Sequence, residues 1–179
     1  RPAGPDAAFC TGCGQALASG PEPEKVPTED RRRVSVLFVD LVGFTPYAEQ
    51  ADPELVRDMQ TTFYATVRRA VGQYGGVVEK YIGDAVMALF GAPVATEADA
   101  LRCVRAGLEL RRVLSGSPLF PGQSDQPRFR IGIATGEALV DVAAARDGGQ
   151  AIVAGDVVNT ASRLQSVAPP GGVLVCGNT

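Results

Sequence analysis

Histidine is absent from the 179-residue sequence, and so is any uninterrupted apolar run long enough to cross a membrane. The first absence excludes Ser–His and Cys–His nucleophilic catalysis as well as His-based metal sites. The second follows from Asp40, which interrupts the longest apolar run well short of the ~20 residues of a membrane span. Any chemistry must therefore come from carboxylates, lysine, arginine, amides or a bound metal.

Excess charge and targeting signals are also lacking. The net charge is −3, so no general electrostatic attraction to nucleic acid is indicated. The stretch from Arg1 to Pro5 is not a basic-then-apolar signal segment, and there is no initiator methionine. We therefore expect a cytoplasmic fragment of a longer protein whose regulatory or effector domains lie outside this chain.

Residues 1–30 are rich in Pro, Gly, Ala and Glu, which predicts a linker. Within it, Cys10 and Cys13 have the spacing of a zinc knuckle, and they could form half of a zinc ribbon whose other ligands lie upstream. Two reduced thiols in a linker are the alternative. A redox pair is disfavoured because no helix pattern follows Cys13. Cys103 and Cys176 fall in apolar patterns and are expected to be core thiols.

Residues 31–179 alternate between strand and helix patterns and predict one α+β domain. The predicted strands are Val34–Val39, the hairpin Val77–Phe90, then Phe129–Val140, Ala151–Ala154 and Val173–Cys176. The predicted helices span about 53–74, 96–114 and 157–167. The first six elements have the order β-α-β-β-α-β of a ferredoxin-like split βαβ unit, and the last three add a β-α-β extension.

Helical spacing also predicts which faces of the first two helices are buried. In the first helix the predicted stripe is Leu55, Met59, Phe63, Val67, Ala70 and Tyr74. In the second helix the predicted inner residues are Leu101, Val104, Leu108 and Val113.

The hairpin carries two charged residues, Lys80 and Asp84, in an otherwise apolar stretch. Antiparallel pairing would bring its turn beside Asp40, which ends the first strand and precedes the glycine loop at 42–45. Two carboxylates brought together repel, and Mg²⁺, which is held by one or two carboxylates plus substrate phosphates, would relieve that repulsion. The residues therefore suggest metal-assisted phosphoryl chemistry, with two separately solvated carboxylates as the alternative.

Asn159 and Arg163 are spaced i, i+4 and share one face of the third predicted helix. An amide can hold a sugar, and a guanidinium can neutralise charge that builds on a phosphoryl group. The alternative is a solvated helix face.

Three stretches resemble the signature motifs of class III nucleotidyl cyclases. They are FVDLVGFT at 38–45, KYIGD at 80–84 and GDVVNTASRL at 155–164, and the similarity runs from about Arg33 to the last residue. The Cys-x-x-Cys segment is similar to the zinc ribbon that precedes some bacterial cyclase domains. The resemblance implies attack of the ATP 3′-hydroxyl on its own α-phosphate, which gives 3′,5′-cyclic AMP and pyrophosphate with the help of two Mg²⁺ or Mn²⁺ ions.

The resemblance also implies roles for individual residues. Asp40, Asp84 and the backbone carbonyl of Leu41 match the metal ligands, and Lys80 matches the lysine that reads adenine. The loop matched to triphosphate binding consists of Val42, Gly43, Phe44 and Thr45.

On the third helix, Asn159 matches the residue that positions the ribose, and Arg163 matches the residue that stabilises the transition state. In this family the aspartates and the Asn/Arg pair of one site come from opposite subunits. Because one chain carries all of them, the resemblance implies a head-to-tail homodimer with two sites.

Two departures from the family pattern affect the expected substrate. Ile152 occupies a base-pocket position where adenylyl cyclases usually carry Asp or Thr, so base discrimination is expected to be weaker or to come from other residues. The chain ends before the C-terminal hairpin in which the family carries a triphosphate-gripping basic residue, so this truncated domain is expected to bind nucleotide poorly. Lys80 still favours ATP, because guanylyl cyclases usually carry Glu there.

Three functions other than that of an adenylyl cyclase are alternatives for this sequence. A cyclase-fold module could dimerise or bind nucleotide for regulation without turnover, although this chain keeps both aspartates, the Asn and the Arg. Relaxed specificity or guanylyl cyclase activity is a second alternative. A diguanylate-cyclase-like domain is disfavoured, because it needs a Gly-Gly-acidic-acidic turn where this chain has Ile82-Gly83-Asp84.

Overall fold

A computed structural model describes residues 29–92, 94–116, 129–141 and 153–179. The predicted site residues Cys10, Cys13 and Ile152 lie outside these ranges. The strands are β1 (Glu29–Leu41), β2 (Val77–Ile82), β3 (Ala85–Phe90), β4 (Phe129–Asp141), β5 (Val153–Ala154) and β6 (Val173–Val175). The helices are α1 (Phe44–Ala48), α2 (Pro53–Gln73), α3 (Asp99–Ser115) and α4 (Asp156–Val167).

The strands form one sheet in the order β2-β3-β1-β4, and both β5 and β6 pair with the free side of β4. All pairings are antiparallel except that of β6 with β4. This order is that of a ferredoxin-like core with a β-α-β extension, so the predicted α+β fold is confirmed. In the described part of the chain, no helix is both long and apolar enough to cross a bilayer.

Strand β1 separates two apolar layers because its side chains alternate between the faces of the sheet. Leu37, Val39 and Leu41 pack beneath α2 and α3, whereas Val36 and Phe38 belong to the layer that includes α4. Asp40 continues the alternating series of Val36 and Phe38, so its side chain lies on the face of the sheet that carries α4. The alternation of side chains along β1 thus determines on which face of the sheet the Asp40 carboxylate lies.

Helix α2 begins as predicted, since the Asp52 side chain accepts a hydrogen bond of 2.8 Å from the Glu54 backbone amide. Four of its predicted inner residues, from Met59 to Ala70, are buried. Leu55 is 50% exposed, so its assignment to the buried stripe was wrong. It lies in the first turn, and the buried stripe of α2 begins one turn later with Met59.

The predicted inner face of α3 was wrong at Leu101 and Leu108, whereas Val104 packs against the core as predicted. Leu101 and Leu108 are about half exposed, and the buried face instead includes Cys103, Ala106, Gly107, Leu110 and Leu114. Gly107 explains the rotation, because a Cβ at this position would lie 2.8 Å from the Ile133 Cδ1 atom. The buried face is therefore the one on which the helix backbone can approach the sheet most closely.

Helix α4 packs on β4 as closely as α3 packs on the sheet. A Cβ on Gly132 would collide with the Gln165 backbone nitrogen and the Ala161 carbonyl oxygen. The missing side chain at this one position therefore lets α4 lie directly on the strand.

Candidate active site

Asp40 and Asp84 meet at the end of the sheet. In the β1–β3 register Asp40 pairs with Ala85, the residue after Asp84, and the two carboxyl groups are within hydrogen-bond contact. The pKa of Asp40 is raised to about 6, mainly by burial and further by the charge of Asp84 and its hydrogen bond. The structure thus places together the two aspartates whose proximity the topology predicted.

Two further groups hold the Asp40 carboxylate. Gln165 donates a hydrogen bond of 2.9 Å from Nε2 to Oδ2 of Asp40, and the Leu41 backbone amide also donates to this carboxylate. Both bonds favour the ionised form and partly offset the rise in the pKa of Asp40. Gln165 was not among the predicted site residues, although the sequence contains a signal for it. Gln165 follows Val157 and Ala161 at intervals of four residues, so a polar residue continues an otherwise apolar stripe of the helix.

Lys80 reaches the same face of the sheet through an irregularity in β2. Val78 packs in the α2–α3 layer, so regular alternation would place Lys80 in that layer too. The register shifts between the two residues, and Lys80 pairs with Met87, which lies in the α4 layer. The extra residue, Glu79, therefore turns Lys80 to the face that carries Asp40.

The turn between β2 and β3 is held from α2 by aromatic side chains. The Tyr64 hydroxyl donates a hydrogen bond to the Gly83 carbonyl, and its ring lies 4.5 Å from that of Tyr81, centroid to centroid. Arg68 donates two hydrogen bonds, of 3.0 and 3.2 Å, to the Tyr81 hydroxyl. Burial and then Asp84 raise the pKa of Tyr64, which keeps its hydroxyl protonated as a donor. These contacts hold the backbone on which Asp84 is carried.

Tyr64→Phe is expected to weaken divalent-metal binding by about fivefold, because losing one hydrogen bond of about 1 kcal/mol loosens the turn next to Asp84. Isothermal titration of the purified protein with Mn²⁺ measures this change. Tyr74→Phe, the same chemical change at the far end of α2, is the matched control and should bind as the wild type does. Unchanged affinity in Tyr64→Phe would show that the turn holds its shape without this bond.

Asn159 and Arg163 do not join the aspartates within one chain. Both are exposed on α4. Arg163 and Gln165 are two residues apart, which corresponds to about 200° around the helix, so they occupy nearly opposite faces. Since Gln165 contacts Asp40, Arg163 faces away from the Asp40 of its own chain.

The predicted phosphate-binding stretch, Val42 to Thr45, begins two residues after Asp40. Gly43 has a φ of 77°, a left-handed conformation that glycine adopts freely, and it closes the turn between β1 and α1. The sequence predicted a loop here, whereas Phe44 and Thr45 already belong to the short helix α1. The stretch nevertheless stays at the edge of the sheet where the carboxylates meet.

The donor set at this edge fits Mg²⁺ or Mn²⁺. In the described ranges, no group of three or more His, Cys, Asp and Glu side chains is placed to hold an ion. Two adjacent carboxylates suit a hard cation, which completes its coordination shell with phosphate and water oxygens. Asp40 and Asp84 are therefore the residues that would hold such ions.

A cavity lies away from the two aspartates. It has a volume of about 920 Å³ at the beginning of β1, and its lining includes Asp30, Arg33, Thr96 and Thr179. Neither Asp40 nor Asp84 lines this cavity. The candidate active site is therefore identified by the chemistry of the carboxylate pair and not by this cavity.

The fold and the carboxylate pair define an α+β domain with a candidate cation site, and comparison with known proteins specifies the family. Residues 26–179 match the adenylate and guanylate cyclase catalytic domain. The chain belongs to this family, which confirms the resemblance drawn from its three motifs.

Three relatives show the extent of the match. Adenylate cyclase 1 of Rhizobium meliloti (strain 1021) is 32% identical over 139 residues, which are 76% of this chain and 21% of that protein. The adenylyl cyclase CyaB from P. aeruginosa is 30% identical with a TM-score of 0.73, over 83% of this chain and 79% of that one. The guanylyl cyclase Cya2 is also 30% identical, with a TM-score of 0.72, over 82% and 75% of the two chains. Since the chain spans about a fifth of the Rhizobium protein, the match describes a catalytic domain and not the remainder of that relative.

Proposed function

We propose that this domain is an adenylyl cyclase that converts ATP to 3′,5′-cyclic AMP and pyrophosphate for signal transduction, at sites shared by two copies of the chain. The observation that carries the proposal is the pairing of Asp40 with Asp84 on the α4 face, together with membership of the cyclase family. We place the reaction in the cytoplasm, where its substrate ATP is made.

Asp40 and Asp84, with the Leu41 carbonyl, would hold two Mg²⁺ or Mn²⁺ ions. When bound, such ions activate an attacking oxygen and stabilise a leaving one in an in-line displacement. The 3′-hydroxyl oxygen forms a bond to the α-phosphorus as the bond to pyrophosphate breaks, and the hydroxyl proton is released. The backbone of Val42 to Thr45 would hold the triphosphate.

Asn159 and Arg163 would come from a second subunit. Both are exposed, and Arg163 faces away from its own Asp40, so a head-to-tail homodimer would bring each pair to the opposite pair of aspartates. Asn159 would position the ribose. Arg163 would neutralise the negative charge that develops at the α-phosphate.

Lys80 supports ATP as the substrate. It stands on the same face of the sheet as Asp40, and in the proposed pocket its ammonium would donate to a ring nitrogen of adenine. Ile152 offers no acceptor for the adenine amino group, so weak discrimination against GTP is expected. A guanylyl cyclase or an enzyme of relaxed specificity is the second candidate, favoured by the similarity to Cya2.

The third candidate is a cyclase-fold module that binds nucleotide or dimerises without turnover. The purified full-length protein, incubated with Mn²⁺ or Mg²⁺ and either ATP or GTP, distinguishes the three by the cyclic nucleotide formed. We expect cyclic AMP from ATP and a slower reaction with GTP. A folded, dimeric protein that forms neither product would exclude both enzyme functions. Zinc analysis of the same protein tests whether Cys10 and Cys13 contribute to a zinc ribbon.

A further inference from the structure

We infer that Gln165 is a positioning residue that fixes the Asp40 carboxylate in the orientation in which it binds metal; this rests on the proposed role of Asp40 as a ligand. Gln165 lies 125 residues from Asp40 in sequence and donates a hydrogen bond of 2.9 Å to its Oδ2 atom. The side chain is polar yet only 8% exposed, so its amide lies inside the protein beside this carboxylate.

The packing of α4 leaves the Gln165 amide little freedom to move. Gly132 on β4 lets the backbone of α4 at Ala161 and Gln165 lie directly against the strand. Asp40 stands on the same face of the neighbouring strand β1. The helix thus fixes where the amide can be, and the amide in turn fixes where one carboxylate oxygen can be.

A neutral hydrogen-bond donor such as the Gln165 amide is suited to hold a carboxylate that binds metal, as proposed for Asp40. An ionised carboxylate has two oxygens with about four lone-pair directions, and binding one oxygen to an amide directs the remaining lone pairs. The uncharged Gln165 also adds no third negative charge beside Asp40 and Asp84. Partners of this kind orient metal ligands, and their loss commonly weakens metal binding 10- to 100-fold.

Gln165 also ties its own Asp40 to the helix that would serve the opposite site. Arg163 lies on the other side of the same helix, about 200° away. In the proposed homodimer, Gln165 therefore acts on the site that contains its own Asp40, while Arg163 of the same helix acts on the other site. A positioning role therefore makes a specific prediction. Replacing Gln165 must impair the site that contains the Asp40 of the same chain, and not the site that contains its Arg163.

The first test measures Mn²⁺ binding to the purified full-length protein by electron paramagnetic resonance, with no nucleotide present. Gln165→Met keeps the length of the side chain and removes the donor, and it should raise the Mn²⁺ dissociation constant about 10-fold. Gln165→Ala should do the same and replaces the Met variant if that variant fails to fold. Ser166→Ala, the neighbouring exposed position, is the control and should bind as the wild type does. A folded Gln165→Met or Gln165→Ala protein with unchanged affinity, or a wild type that binds no Mn²⁺, overturns the inference.

The second test assigns the effect to one subunit. Mixed dimers of Arg163→Ala and Asp84→Ala chains contain one intact site, whose aspartates come from the Arg163→Ala chain. Adding Gln165→Met to that chain should lower cyclic nucleotide formation about 10-fold, and adding it to the other chain should leave it unchanged. The reverse result would mean that Gln165 acts through Arg163 and would overturn the inference. A wild type that binds Mn²⁺ through a Gln165-dependent site but forms no product would exclude the proposed enzyme and leave the inference standing.

Discussion

Replacing Asp84 with alanine is expected to lower the rate of cyclic nucleotide formation by roughly a thousandfold. The carboxylate would hold metal ions that contribute several kcal/mol to the transition state, and each 1.36 kcal/mol is a factor of ten. The same change should leave the metal-free protein at least as stable as the wild type. Asp84 raises the pKa of Asp40 by repulsion, so its removal relieves a like-charge contact in the folded state.

The combination of lost activity and retained stability separates a functional carboxylate from a structural one. Activity is measured with Mn²⁺ and ATP, and stability by urea unfolding in the absence of metal. Asp58→Ala, an exposed acidic position on α2, is the control and should change neither quantity. A protein that loses Asp84 and keeps its turnover would contradict the proposed metal site.

Replacing Arg163 with alanine is expected to lower kcat by about 100- to 1,000-fold with little change in KM. The guanidinium would contact charge that develops only in the transition state, and removal of one such group has an effect of this size. Because Arg163 is exposed, the free energy of unfolding should change by no more than about 0.5 kcal/mol.

Two variants define this effect further. Arg163→Lys keeps the charge but loses the planar pair of donors, so it should recover only part of the rate. Arg69→Ala, which removes an exposed arginine from α2, should leave kcat unchanged. An equal loss in kcat and in nucleotide affinity for Arg163→Ala would contradict a role confined to the transition state.

The meeting of Asp40 and Asp84 could be predicted because it follows from element order alone. Once the sequence indicated β-α-β-β-α-β, antiparallel pairing of the first strand with the hairpin placed the end of one beside the turn of the other. Alternating and helical apolar patterns were sufficient for this step. The hairpin itself, with the strands β2 and β3, was confirmed.

The faces of individual elements could not be predicted from apolar patterns. The face of α3 depends on the close approach that Gly107 allows, and two of the four leucines of that helix, Leu101 and Leu108, remain about half exposed. The direction of Lys80 depends on one extra residue in β2, which a period of two cannot reveal. The contact of Gln165 with Asp40 depends on the space that Gly132 leaves between helix and strand. In each case a local departure from regular geometry decides the outcome.

In the proposed dimer, each active site combines the aspartates of one chain with Asn159 and Arg163 of another. Mixing Asp84→Ala protein with Arg163→Ala protein tests this shared site, because neither variant alone contains an intact site. Random exchange should produce half mixed dimers with one intact site each, and so restore about a quarter of wild-type cyclic AMP formation. A mixture no more active than the two separate variants, although subunit exchange is shown, would contradict the shared site.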